Sequence, residues 1–244
     1  MITTLQWVTF TVCAAVTIAR LPSALRRQNR ALFYVFALLT VAILLSIEAP
    51  YLAIDRVLGG VNVANLLLRF IIFGAIFFVG VKITKGFGAT REYGLLTGKP
   101  GVAALAICSA AVIITFVLMD TRGSSAGLAQ LSAKDDPHAV LVEYYGAAGR
   151  LYPSYVSLIL VPAMVRAVRS RLPWLVRLGA LLLCIGSVAI ILTLSFPFMS
   201  PELGYVQFII NYTAILCFVI GLAVIWFAKL HAARQRSKKS FTKK

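Results

Sequence analysis

Seven long apolar runs, almost free of charge, constrain this chain more than any other feature. They lie at roughly 2–19, 31–53, 61–83, 101–119, 145–165, 174–196 and 203–228. A bilayer core about 30 Å thick is crossed by about 20 apolar residues in helical form. The runs are continuous rather than alternating, which selects helices, and helices satisfy their own backbone groups where no water can. The expectation is therefore an all-α chain: a seven-transmembrane-helix bundle forming one domain over 1–228. A short basic tail, 229–244, is expected to stay disordered. Composition agrees, since 60% hydrophobic against 13% charged residues leaves too little polar surface to coat a water-facing globule. Two runs are weak: the first, with five threonines and Gln6, whose loss would leave six spans, and the fifth, with Arg150, Pro153 and Pro162, which is expected to be a kinked helix.

The net charge of +16 has a topological pattern. Most of the 24 basic residues fall in alternate connectors: Arg20, Arg26, Arg27 and Arg30; Lys82, Lys85, Arg91 and Lys99; Arg166, Arg169, Arg171 and Arg177; and the tail from Lys229. The other connectors hold Arg56, Arg122 and Lys134 with most of the acids, Asp55, Asp120, Asp135, Asp136 and Glu202. The positive-inside rule then places the N-terminus outside and the C-terminus in the cytoplasm. The basic excess is read as topology and as attraction to anionic headgroups of the lipid bilayer, not as a nucleic-acid surface. The opening MITTLQWVTF has no positive region and does not read as a cleaved signal peptide. The outer connector TRGSSAGLAQLSAKDDPHA reads as a mobile spacer or lid.

Polar residues inside spans are costly and face a protein interior or a watery cavity. They are Glu48, Asn62, Asn65, Arg69, Arg150, Gln207 and Asn211, all toward the outer ends of their runs. Asn62, Asn65 and Arg69 share one helical face, as do Gln207 and Asn211. Glu48 and Arg69 flank the hairpin turn near Leu58–Gly59 symmetrically, so an intramembrane ion pair between them is expected. Two readings follow: a structural clasp, or the floor of an outward-facing polar pocket in which Arg69 or Arg150 grips an anionic ligand.

No enzyme constellation is present. His138 and His231 have no acids or cysteines at metal-ligand spacing, and no nucleotide-binding, serine-hydrolase or zinc-protease motif occurs. Cys13, Cys108, Cys184 and Cys217 all fall inside apolar runs, as small hydrophobes. The chain is read as a non-enzyme with no catalytic residues, no metal and no cofactors. Seven spans also suit a three-one-three arrangement of two parallel repeats. LSIEAPYLAIDRVLGG at 45–60 faintly echoes LTLSFPFMSPELGY at 192–205. The paired Pro-Gln motif of SWEET-type sugar carriers is absent.

Two further stretches carry a resemblance: the inner loop RLPSALRRQNRAL, and the hairpin APYLAIDRVLGGVNVANLLLRF that closes the second run. In these the chain resembles a family of actinobacterial multi-pass integral membrane proteins of unknown function, often labelled as transporters. The resemblance implies a bacterial plasma membrane and no established substrate or catalytic residue. The functional expectation is small-solute transport or ligand binding through a pocket lined by the seven residues above. The alternative is a non-transporting accessory, regulatory or immunity protein that packs against a membrane-protein partner. A transporter needs a cavity reaching toward the midplane and a broken helix. A packing partner needs an exposed small-residue face and no cavity.

Overall fold

In the computed structural model the described residues are 2–26, 30–119, 128, 136–199 and 203–241, and they are helical throughout with no strand. In chain order the helices are α1 (Ile2–Leu25), α2 (Arg30–Leu44), α3 (Glu48–Val57), α4 (Val63–Phe87), α5 (Thr90–Thr97), α6 (Lys99–Leu118), α7 (Asp136–Arg169), α8 (Trp174–Leu192) and α9 (Gly204–Phe241). A 3-10 helix, Thr193–Phe198, follows α8 directly. Six helices are long and apolar enough to cross a membrane, and the count is seven if the bent pair α2 and α3 is one span.

The irregular member is thus the second span, not the first. The expected helix over 31–53 breaks after Leu44 and turns by 95° into α3. The cause is Pro50, which has no N–H for the Ser46 carbonyl four residues earlier and whose ring crowds that carbonyl. The ladder shortens as it approaches: Leu45 N–H still reaches Val41 O at 2.9 Å. Ser46 and Ile47 reach back only three residues, to Ile43 O and Leu44 O. Pro197 does the same after α8, where the chain tightens into the 3-10 helix at Thr193. The prolines of the fifth run are absorbed differently, within one continuous α7 that contains Pro153 and Pro162 and begins well before 145.

Packing defines a ring. α1 packs on α2, α2 on α4, α4 on α7, α7 on α8, α8 on α9, and α9 returns to α1. Three consecutive members of the ring, α1, α2 and α4, come before α6 in the sequence, and the other three, α7, α8 and α9, come after it. α6 stands outside, against α7 and α4. The tightest seam is α8 on α9. A Cβ on Gly179 would stand 2.8 Å from the Gly221 carbonyl, and one on Gly186 would stand 3.1 Å from the Ala214 carbonyl. Small residues there let the two backbones approach.

α5, unanticipated from sequence, crosses the basic end, where Arg166 of α7 donates to Glu92. α9 runs on into the basic tail as far as Phe241, where Lys, Arg, Gln and Ala are good helix formers. Most of the outer connector expected to act as a lid lies outside the described residues. So do the side chains of His138, Asp120, Arg122, Lys134, Asp135, Asp136, Glu202 and the tail beyond His231. Leu128, the described residue of that connector, is buried in the main core.

Candidate functional site

The ring encloses a cavity of about 380 Å³. Its wall follows α4 from Asn65 to Val79, a rise of roughly 20 Å at about 1.5 Å per residue. Ile72, Ile76, Val79, Ile215 and Phe218 make one end apolar. At the other end stand Gln6, Ser46, Asn65, Arg69, Arg150, Thr193, Asn211 and Tyr212. Both proline breaks open onto that polar end, through Ser46 and Thr193.

The breaks are braced by side chains. Gln6 Nε2 donates to the Ser46 carbonyl at 3.0 Å, taking the acceptor that Pro50 leaves without its helical donor. Ser46 Oγ and the Tyr212 hydroxyl share a hydrogen bond of 2.8 Å, tying the break to α9. Tyr212 in turn stacks on Phe208.

Four of the seven expected pocket residues meet here: Asn65, Arg69, Arg150 and Asn211. The other three do not. Gln207 reaches away to the Phe196 carbonyl at 3.4 Å. Asn62 is fully buried in a separate knot, where its Oδ1 accepts from Tyr51 at 2.7 Å. Glu48 is exposed at the first turn of α3, a position that favours an acid by the helix dipole.

The expected ion pair between Glu48 and Arg69 does not form. Its depth argument assumed a straight helix through 31–53, and the 95° turn carries Glu48 away. The buried acid of this hairpin is instead Asp55, which sequence placed in a connector. Asp55 is fully buried and its carboxylate accepts the backbone N–H of Asn62 at 3.0 Å and of Ala64 at 2.9 Å. It thereby satisfies donors at the start of α4 that have no partner within the helix. Asn62 holds a left-handed φ of 59° to make this possible, a conformation asparagine tolerates.

Arg69 and Arg150 sit against aromatic faces instead of carboxylates. Arg69 Cζ lies 5.1 Å from the centre of the Tyr145 ring, and Arg150 Cζ lies 5.1 Å from that of Phe196. Tyr145 also donates to Asn65 Oδ1 at 3.0 Å, fixing the ring under the guanidinium. Among the described residues no carboxylate pairs with either arginine, and Arg69 Nε is buried with no acceptor. The nearest acid along α7, Glu143, lies about two turns before Arg150 and is exposed.

The small residues of α7 make room for these charges. A Cβ on Gly149 would stand 2.8 Å from Arg69 Cδ and Nη1, and one on Gly146 would stand 3.3 Å from Arg150 Nη2. Gly146 and Gly149 are a cradle for guanidinium groups. Among the described residues no cluster of His, Cys, Asp or Glu could hold a metal ion. Set against protein-family models, curated proteins and solved structures, the chain matches none.

Proposed function

We propose that this is a multi-pass plasma-membrane protein, oriented N-terminus out, that binds a small anionic solute in the polar end of the cavity and carries it across the bilayer. The observation that carries the reading is the pair Arg69 and Arg150: two guanidinium groups lining one cavity, with no carboxylate in contact with either among the described residues. A charge removed from water is costly unless it is paired, and a ligand anion supplies the missing partner. The setting fits transport. The cavity extends along much of a span, and two proline breaks open onto it, as in carriers with discontinuous helices around a central site. The ring takes three spans from either side of α6 in the sequence, with α6 outside, an order that parallel three-span repeats would also give.

The competing reading, an accessory protein acting by helix packing, needs small residues displayed outward. Close glycine contacts are spent inside: between α8 and α9, around the arginines, and where Gly80 and Gly101 meet Leu96.

Purified protein titrated with sulfate, phosphate and short carboxylates tests the reading by thermal stability, followed by uptake into proteoliposomes. At least one anion class is expected to stabilise the wild type, and Arg69→Gln and Arg150→Gln to fold yet lose that response. Gly149→Ala is expected to keep the fold, because alanine favours the helix, and to weaken binding about tenfold by displacing Arg69. Stabilisation by no anion, or an unchanged response in both arginine variants, would overturn the proposal.

A further inference from the structure

At the opposite end of the bundle a second cavity, about 330 Å³, is bounded by the ends of α1, α4 and α9 and by the α7–α8 connector. All four basic segments picked out by the charge pattern contribute to this end. Arg20, Lys82 and Lys229 line the cavity, and no acid is among its lining residues.

Arg20 decides how the cavity is read. It is only 2% exposed, although it belongs to a connector expected to be wet. Its guanidinium lies over Trp226, Cζ 4.3 Å from the ring centre, and its Nε is buried without an acceptor. Glu92, the described acid at this end, is already engaged by Arg166. A guanidinium buried this deeply needs an anion that enters with it. Phe87, Leu222, Ile225 and Leu230 make the rest of the wall apolar.

We infer that this cavity is a site for the phosphodiester headgroup of an anionic phospholipid. Arg20 anchors the phosphate from below, Lys82 and Lys229 close on it from the rim, and an acyl chain lies along the apolar wall. An amphiphile suits the cavity better than a free ion, because an inorganic anion would leave the apolar wall unused. Basic pockets between spans at the membrane boundary bind lipid headgroups on the same principle. The site shares no residue with the polar cavity, so the two proposals stand or fall separately.

The test uses the full chain in a neutral detergent, titrated with phosphatidylglycerol, phosphatidylcholine or inorganic phosphate. Thermal stability and native mass spectrometry are the readouts. Saturable stabilisation and retained lipid are expected with phosphatidylglycerol alone. Arg20→Gln is expected to abolish the response. Because that variant perturbs a buried position, Lys229→Gln at the exposed rim provides the second arm, with apparent affinity weakened about fivefold. Lys85→Gln, whose ammonium lies over Tyr93 and does not line the cavity, is expected to change nothing. An equal response to inorganic phosphate would overturn the lipid assignment in favour of a free-anion site. Equal response to phosphatidylcholine, or equal weakening by Lys85→Gln, would overturn the site itself.

Discussion

Residues 45–60 and 192–199 are the two places where a span of the ring breaks ahead of a proline, yet they are held very differently. Each ends a span at a hydroxyl residue, Ser46 or Thr193, four residues before a proline, Pro50 or Pro197, and both hydroxyl residues line the cavity. In the first half the freed chain forms α3 and is locked back onto α4 by Asp55, Asn62 and Tyr51 around a small apolar cluster of Leu45, Tyr51 and Ala64. In the second half, among the described residues, the 3-10 helix reaches α9 through one long hydrogen bond, from Gln207 to the Phe196 carbonyl. The same interruption is a fixed corner in one half and a loosely tied one in the other. A proline thus dictates where a span stops, and the polar groups around it decide how firmly.

That contrast can be broken most directly at Asp55. Asp55→Ala strands the backbone N–H groups of Asn62 and Ala64, at about 1–3 kcal/mol for each buried donor left without an acceptor. A loss of about 4 kcal/mol in stability is expected, read as a collapse of Tm and yield in detergent; a near-native Tm would show that the corner is not locked. Tyr51→Phe removes the buried hydrogen bond to Asn62 and is expected to cost about 1 kcal/mol in the same assay. A smaller effect is expected at the tie between the halves at the basic end. By donating to it, Arg166 holds the Glu92 carboxyl below the usual carboxylate range. A lowered carboxyl pKa adds stability above the unfolded-state value, and that stability is lost as pH falls through the folded one. Glu92→Gln should flatten this acid-side decline, with about 1 kcal/mol at most at neutral pH because the Arg166 side chain is largely exposed.

In the loosely tied half, Gln207→Ala is expected to change stability by less than about 0.5 kcal/mol, since a bond of 3.4 Å is weak. Amides of 193–198 should exchange faster than those of 55–65, and equal protection would erase the distinction. The smallest effect belongs to the pair suggested by the hairpin's symmetry. Glu48→Gln and Arg69→Gln should be additive within about 0.5 kcal/mol in a double-mutant cycle, and a larger coupling would restore the ion pair.

Hydropathy made the spans legible, and the alternation of basic connectors foretold which ends gather. Arg20, Lys82 and Lys229 do converge. The face carrying Asn65 and Arg69 was legible from helical spacing, and both line the cavity. The break at 45–47 was not, because Leu-Ser-Ile is as apolar as a continuing helix and the cause lies downstream in Pro50. Pairing Glu48 with Arg69 failed for the same reason: counting from a turn gives depth only along a straight rod. Asp55 looked like a connector acid because spacing cannot say that a carboxylate folds back to cap the next helix. Gln6, Ser46, Thr193 and Tyr212 carried no charge to draw attention. Their signal, in hindsight, is that Ser46 and Thr193 each precede a proline by four residues.

The helix outside the ring has a consequence of its own. α6 contributes to neither cavity, and much of its surface, including Val102, Ile107, Ile114, Val117 and Leu118, is exposed. Its 20 residues make a rod about 30 Å long, the thickness of an average hydrocarbon core. In a thinner bilayer such a rod tilts, kinks or thickens the lipid around it. Membrane thickness therefore bears first on the one span that lines neither cavity, packed on α7, the helix that carries Arg150.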